Sequence, residues 1–595
     1  MSHGRPVGPV DCRIVGSPFG KAVYKAAGIQ SDQASHGSVS KLSPQQGAAA
    51  LEEAVALHRQ GRLAEAEKLY ARILKAFPDQ FDALHLSGLA KLQGGKAGEA
   101  LRLITAALKI APQSADAHAN LGLVLGALKR PDDALASFDR ALALAPDHIE
   151  ALVNRGNVLL DLGRNEEALA CFDRVLAREP RHLPSRVNRG NALLALGRAE
   201  EAIGEYDLAL AAYPMDVRAT FNRANALFRA GRYAESLAGF DRLLALSPQH
   251  AEGAMTRGLA LQALGRHADA LAGYNQAIAL QKDYADAHFN AALARLTLGD
   301  YAAGFAEYEW RWKRAGIARA SYGKPLWLGE YPLGRKTILL HAEQGLGDTI
   351  QFVRYAPLLA RAGATVVLEV QKELRDLLGT LEGVSAIVAR GETLPGFDVH
   401  CPLGSLPLAF KTGLGAVPTG IPYLRASQDR IAKWRPRLDA LPGRRVGLAW
   451  AGNPSHINDR NRSIAFSRLA PLLSTPGISF VGLQRDLREG EREQIASSQN
   501  MLSLGPEFGD LSDCSGVTSS LDLVISVDTA VAHLAAAMGR PTWLLVPFWP
   551  DWRWGLSGET SPWYPQARLF RQAADADWDP VLERIRAEIA AELKS

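Results

Sequence analysis

The stretch DHIEALVNRGNVLLDLGRNEEALACFDRVLAREP, residues 147–180, decides the fold of the first half of the chain. Two helical runs flank Gly163, and Pro180 closes the unit. The same punctuation recurs on either side. Pro78, Pro112, Pro146, Pro180, Pro214 and Pro248 are 34 residues apart, and Gly61, Gly95, Gly163, Gly197, Gly231, Gly265 and Gly299 keep the same frame. A small residue returns at Ala66, Ala100, Ala134, Ala168, Ala202, Ser236, Ala270 and Gly304, and a ring at Tyr70, Phe138, Phe172, Tyr206, Phe240, Tyr274 and Tyr308. Each has a physical task. Glycine breaks the chain between two helices, because it adopts left-handed angles cheaply. The small residue lets the helices approach, the ring fills the layer between repeats, and proline stops the second helix.

This unit resembles the tetratricopeptide repeat (TPR). About eight repeats cover residues 47–318, more than the three needed to bury a continuous core. The resemblance implies an all-α TPR superhelix whose first helices line a concave side. On those helices Asn120, Asn154, Asn188, Asn222 and Asn290 recur in phase, with Thr256 interrupting, and Asn157, Asn191 and Asn225 lie three residues further on. Asparagine is a mediocre helix former, but its amide both donates and accepts. One reading is bonding within the solenoid or inheritance from repeat duplication. The other is a groove that grips a protein or peptide backbone, as a similar ladder does in the TPR superhelix of protein O-GlcNAc transferases.

Bulk composition narrows the classes. The net charge of +4 is small for 595 residues and carries no basic block, so nucleic acid is not indicated as a partner. Cys12, Cys171, Cys401 and Cys514 stand apart, which argues against a disulfide framework or zinc knuckle and for a reducing compartment. No window offers the roughly 18 apolar residues of a membrane span. Residues 1–46 are rich in Gly, Ser, Pro and Gln without the apolar core of a signal peptide, and read as a disordered tail or an over-extended start. The expected location is the cytoplasm.

All eleven tryptophans fall at or after Trp310. The repeat ends in YEWRWKR (308–314), breakers crowd 323–334, and the boundary is expected between 318 and 335 as a linker over 319–335. Beyond it TILLHA (337–342), TVVLEV (365–370), RVGLAWAG (445–452), ISFVGLQ (478–484), LVISVD (523–528) and TWLLVP (542–547) read as strands alternating with helices, one of them QFVRYAPLLARAG (351–363). That alternation predicts doubly wound parallel sheets. Two blocks, 336–430 and 440–595, predict two Rossmann-like lobes with ligands beyond the carboxyl ends of the strands.

Three loops at strand ends carry candidate chemistry. In HAEQGLGDTIQFVRYAP (341–357), Gly345 and Gly347 precede a helix opening at Asp348. The plain reading is a tight turn and an N-cap. In SVDTAVAHLAAAMGRP (526–541), a strand ends at Asp528, a helix opens at Thr529, and His533 lies one turn on. A helix start suits a diphosphate, and capping plus a core histidine is the plain alternative. In AGNPSHINDRNRSIAF (451–466), Arg460 and Arg462 stand in a polar loop. A guanidinium can neutralise a leaving diphosphate without metal, although Arg460 reads better as a solvated charge.

Together the three loops resemble glycosyltransferase family 9, the heptosyltransferase-like enzymes of two-lobed GT-B architecture. The resemblance covers about residues 335–595 and implies inverting transfer from a nucleotide sugar, with no metal and no cofactor besides that co-substrate. Gly347 and Asp348 match the family's Gly-Asp, making Asp348 the implied general base. Asp528, Thr529 and His533 match its donor loop. Arg462 is the nearest match to a phosphate-binding position usually held by lysine. The usual Gly-Pro-Thr run is replaced by VPFWPDWRWG (546–555), whose tryptophans read equally as stacking platforms for a sugar or base, or as interdomain packing. An Asp-x-Asp pair at Asp575 and Asp577 is discounted as a metal site.

The expected function is transfer of a sugar to an acceptor, a protein among the candidates, presented by the repeats. Two other readings stay open: a scaffold with a degenerate transferase domain, and a transferase directed at lipopolysaccharide or another glycan.

Overall fold

A computed structural model describes residues 42–595 except 318, 456–457, 499, 575–576 and 593–595. Most of the expected tail, with Cys12, lies outside the described residues, as does Asp575. The chain is already helical from Pro44, inside the stretch read as tail. Ser43 caps that helix: its hydroxyl accepts the Gln46 N–H at 3.2 Å, and the Gln46 side-chain carbonyl accepts the Ser43 N–H at 2.9 Å. This reciprocal pair satisfies two helix-start donors.

Among the described residues, sixteen helices from Pro44–Arg59 to Tyr301–Tyr308 form eight hairpins. The repeat works as its residues predict, with one addition. Gly122, Gly156, Gly190 and Gly258 each face the ring sixteen positions later. A Cβ at any of them would lie 2.5–2.7 Å from Phe138, Phe172, Tyr206 or Tyr274. The rings are fully buried, so the missing side chain on one helix is the space that the ring of its partner occupies. Between the helices Gly163 has φ 74°, and the equivalent Lys129 is forced to φ 60°.

By its packing the chain divides after Leu246. The repeats end at Tyr308 and β1 opens at Thr337, but the last two hairpins pack with the α/β part. The reason is aromatic. Tyr301, Phe305 and Tyr308 of the final hairpin share one core with Trp552 and Trp563. Phe305 and Trp552 meet edge to face at 5.6 Å, and the Trp563 N–H donates to Tyr301 Oη at 3.0 Å. These tryptophans therefore act in packing, and Trp552, Trp554 and Trp563 are buried. Within the linker 319–335, Trp327 is buried, and its backbone N–H donates to the His400 carbonyl at 2.9 Å.

The α/β part holds two parallel sheets, the GT-B-like arrangement of two Rossmann-like lobes. The first contains β1 (Thr337–His341), β2 (Thr365–Val370), β3 (Val384–Ala389) and β4 (Val399–Pro402) in the order β3-β2-β1-β4. The second contains β5 (Arg444–Ala449), β6 (Ile478–Gly482), β7 (Met501–Ser503), β8 (Leu523–Val527), β9 (Thr542–Val546) and β10 (Ala567–Arg571) in the order β10-β9-β8-β5-β6-β7. Every strand pairing among the described residues is parallel. The order reverses between β1 and β4 and between β8 and β5, and a crevice for ligand opens at such reversals. The run 351–363 is not one helix; it breaks into Leu346–Phe352, a 3-10 turn and Ala356–Arg361. Among the described residues, no helix is long and apolar enough to cross a membrane.

Lys129→Gly relieves a left-handed backbone that costs a side-chain-bearing residue about 1 kcal/mol. Part of that gain is offset by glycine's greater freedom in the unfolded chain. A rise in the urea midpoint of the repeat transition, with its slope unchanged, is the expected outcome.

Candidate active site

The loop after β1 brings Asp348 into position. Gly345 is the cap of the helix Leu346–Phe352, and Asp348 sits in its first turn rather than at the cap. Asp348 Oδ2 accepts the Gly345 N–H at 2.9 Å, so a carboxylate occupies the positive end of the helix. Gly347 has to be glycine for a different reason: a Cβ there would lie 2.8 Å from His533 Cδ2. The first loop of the amino lobe and the donor-type loop of the carboxyl lobe are therefore in direct contact.

On the other side, β8 ends and Thr529 caps the helix Ala530–Ala537 by its backbone position alone. Its hydroxyl is 3.1 Å from Ser526 Oγ and makes no cap bond. His533 is buried; its Nδ1 lies 3.0 Å from Tyr564 Oη and its Nε2 3.7 Å from Asp528 Oδ1. Burial, and then the Arg553 and Arg354 guanidiniums, hold its pKa well below 6.5. The ring is neutral imidazole and has one N–H to offer. Arg462 arrives from the loop after β5, and its Nη1 donates to the Asp528 carbonyl at 3.0 Å. Its neighbour Arg460 is exposed.

Sequence reasoning missed the residue that ties these parts together. Arg553, on the 3-10 turn Trp552–Trp554, is buried and uses all three guanidinium nitrogens. Nη2 pairs with Asp348 Oδ1, Nε donates to Gln351 Oε1, and Nη1 donates to Asp551 Oδ1 at 2.9 Å. The guanidinium also lies 4.6 Å from the Trp552 ring centroid. A buried arginine is stable only with several such partners. The signal was available in PDWRWG, where an arginine between two tryptophans beside an aspartate marks a cation held in apolar surroundings.

Asp348, Asp528, Thr529, His533 and Arg462 thus converge at one place, with Arg553, Asp551 and Gln351 added to them. Tetratricopeptide-repeat models match residues 34–81, 113–176, 153–216, 187–251 and 258–299. Glycosyltransferase family 9 (heptosyltransferase) matches residues 462–545. The chain carries TPR repeats and, behind them, a family 9 glycosyltransferase domain. The family 9 match includes Arg462, Asp528, Thr529 and His533, while Asp348 and Arg553 lie outside it. Protein FlbA of Caulobacter vibrioides is 28% identical over 285 residues, 44% of this chain and 47% of that one. The chain therefore spans about half the length of this curated relative. Among solved structures, a tetratricopeptide repeat protein of Parabacteroides merdae is 21% identical with a TM-score of 0.35, covering 42% of this chain and 99% of its own. A thermophilic TPR protein of Thermus thermophilus is 27% identical with a TM-score of 0.27, covering 31% of this chain and 100% of its own.

The TPR asparagines have a local use within the solenoid, the first of the two readings left open for them. Asn188 Nδ2 donates to Asn157 Oδ1 at 2.7 Å, and Asn222 Nδ2 to Asn191 Oδ1 at 2.9 Å. Asn120 Nδ2 lies 2.7 Å from His85 Nε2, and Asn290 Nδ2 reaches Met255 Sδ at 3.5 Å. A half-buried amide in a helix needs a partner, and the preceding repeat supplies it. Asn154 is half-buried in the same series.

Behind the first loop of the transferase domain lies a second buried ion cluster. Arg311 of the 3-10 turn after the last TPR hairpin donates to Glu309 at 2.6 Å, to Ser405 at 2.6 Å and to Glu343 at 3.1 Å. Glu343 immediately precedes the Gln344–Gly345 turn, so the last repeat anchors the segment that carries Asp348. Burial pushes the Glu343 carboxyl up to about 7 against the pull of Arg311.

Burial, and then the charge of Asp551, raise Asp528 from an ordinary 3.8 to about 6. Its folded-state pKa lies above the unfolded value, so between about pH 4 and pH 6 the folded chain binds the extra proton and loses stability as pH rises. Melting curves across that window should show Asp528→Asn with a flatter decline than the native chain.

Proposed function

We propose that the chain is an inverting glycosyltransferase that moves a sugar from a nucleotide-diphosphate donor without metal, with Asp348 as general base. The observation that carries the reading is the direct packing of Gly347 on His533, which puts a carboxylate of one lobe beside the Asp528–Thr529–His533 loop of the other. In the transfer step the acceptor O–H bond breaks, and its proton passes to an oxygen of Asp348. The acceptor oxygen bonds to the anomeric carbon on the face opposite the donor's diphosphate. The bond from that carbon to the diphosphate oxygen breaks, and this oxygen keeps the electron pair. Arg462, the Thr529 hydroxyl, the neutral His533 ring and the free N–H groups opening the helix Ala530–Ala537 face the developing negative charge, the form of stabilisation that contributes most in such sites.

The acceptor, in this reading, is a polypeptide held by the TPR array, with Asn120, Asn154, Asn188, Asn222 and Asn290 on its binding face. Each amide bonded to the preceding repeat retains a second N–H and a carbonyl with further accepting capacity, so lateral bonding and peptide recognition are compatible. The cytoplasm is the proposed place of work.

Incubation of the purified chain with a panel of nucleotide sugars tests this. Nucleotide release in the native chain should fall by about 10²–10⁴-fold in Asp348→Asn, the usual contribution of a general base, without weaker donor binding. Unchanged release in Asp348→Asn removes the base assignment. Donor binding with no turnover on any acceptor turns the reading into a scaffold with a degenerate domain, and turnover only on glycans redirects it away from protein acceptors.

A further inference from the structure

The transferase reading leaves Arg553 without a task, although it is the cation on which the site's carboxylates converge. Its Nη2 holds Asp348 of the amino lobe and its Nη1 holds Asp551 of the carboxyl lobe, while Asp528 stands close enough for its charge to be felt. Each oxygen of Asp348 thereby already accepts one donor, the guanidinium on one and the Gly345 N–H at 2.9 Å on the other. An acceptor hydroxyl would have to share the carboxylate with a guanidinium, in competition for its negative charge.

Two further donors point to what resolves this competition. Gln351 is fully buried, and its carbonyl is oriented by Arg553. Its Nε2 has no hydrogen-bond acceptor among the described residues, and Arg462 Nε makes no hydrogen bond beyond an ion-pair contact with Asp459 Oδ1 at 3.7 Å. Buried donors lacking an acceptor are costly, and phosphate oxygens supply acceptors of the charge-assisted kind. A diphosphate entering beside three aspartates also needs a cation, and the guanidinium fork of Arg553 matches two of its oxygens.

Resting on the base reading, we propose that Arg553 is a positioning residue shared between Asp348 and the donor's terminal phosphate, so that donor binding withdraws the guanidinium from Asp348 and frees it for the acceptor. The order of events follows: the donor binds first, and the acceptor is activated afterwards. A guanidinium engaged by phosphate also remains at the leaving group as its charge develops.

Calorimetric titration of the full chain with a panel of nucleoside diphosphates and the matching monophosphates tests the sharing without any turnover. Arg553→Gln should weaken the diphosphate by about tenfold or more, the loss of a charge-assisted bond, and leave the monophosphate nearly unchanged. A purely structural arginine would weaken both alike. Asp348→Asn should tighten the diphosphate several-fold, because the guanidinium then has one anion fewer to satisfy, and this gain should vanish in the Asp348→Asn, Arg553→Gln double variant. Should Arg553→Gln fail to fold, Asp348→Asn alone carries the test through the difference between diphosphate and monophosphate. Equal weakening of the two ligands, no tightening in Asp348→Asn, or no binding of any diphosphate by the native chain overturns the sharing. The general-base role stands or falls separately, on nucleotide release by Asp348→Asn.

Discussion

A guanidinium removed from water needs several partners, and at Arg553 all three nitrogens find one, drawn from both lobes of the α/β part. The residue is buried against the Trp552 ring. Its partners come from both lobes: Asp348 and Gln351 from one, Asp551 from the other. Desolvation at this depth exceeds the attraction of a single ion pair, so the arrangement is stable only with several partners in place. Those partners fix the helix Leu346–Phe352 relative to the turn after β9, and with it the separation of the two candidate loops. The lobes are held together at the place where the chemistry would occur.

The aromatic residues around this ion network explain why the last TPR hairpins pack with the transferase domain. Trp552 and Trp563 sit in the same segment as Arg553 and find their apolar partners in Tyr301 and Phe305. Arg311, just after that hairpin, reaches Glu343 and Ser405 on the other side of the first loop. Two buried cations therefore hold the segment bearing Asp348, one before the loop and one after it. The final repeat is part of the scaffold of the site, as well as the end of an array.

The repeats follow a simpler rule. Close approach of two helices needs a residue without a side chain, and the volume released is filled by an aromatic ring of the partner helix. Gly156 under Phe172 and Gly190 under Tyr206 are examples. The rule is local, so it can be repeated many times without long-range adjustment. The same locality gives the asparagines their lateral bonds, since each amide lies within reach of the preceding repeat.

The sequence alone determined the repeat architecture, because its signals lie within 34 residues and recur. It also determined the parallel α/β class, from strands alternating with helices, and singled out Asp348, Arg462, Asp528, Thr529 and His533 as candidates, from loops at strand ends and a family resemblance. The strands β3, β4, β7 and β10 escaped it: all four lie at sheet edges, β4 and β7 are brief, and β3 and β10 are only partly buried, so their apolar signal is weaker. Tertiary structure decided what depends on contacts across hundreds of residues. It placed Arg553 on Asp348, turned the tryptophans into packing, and joined the last two hairpins to the α/β part. The physical reason is common to all three. Burial of charge and of large rings is settled by whichever partners the fold brings within reach, and local periodicity carries no record of partners so distant in the chain.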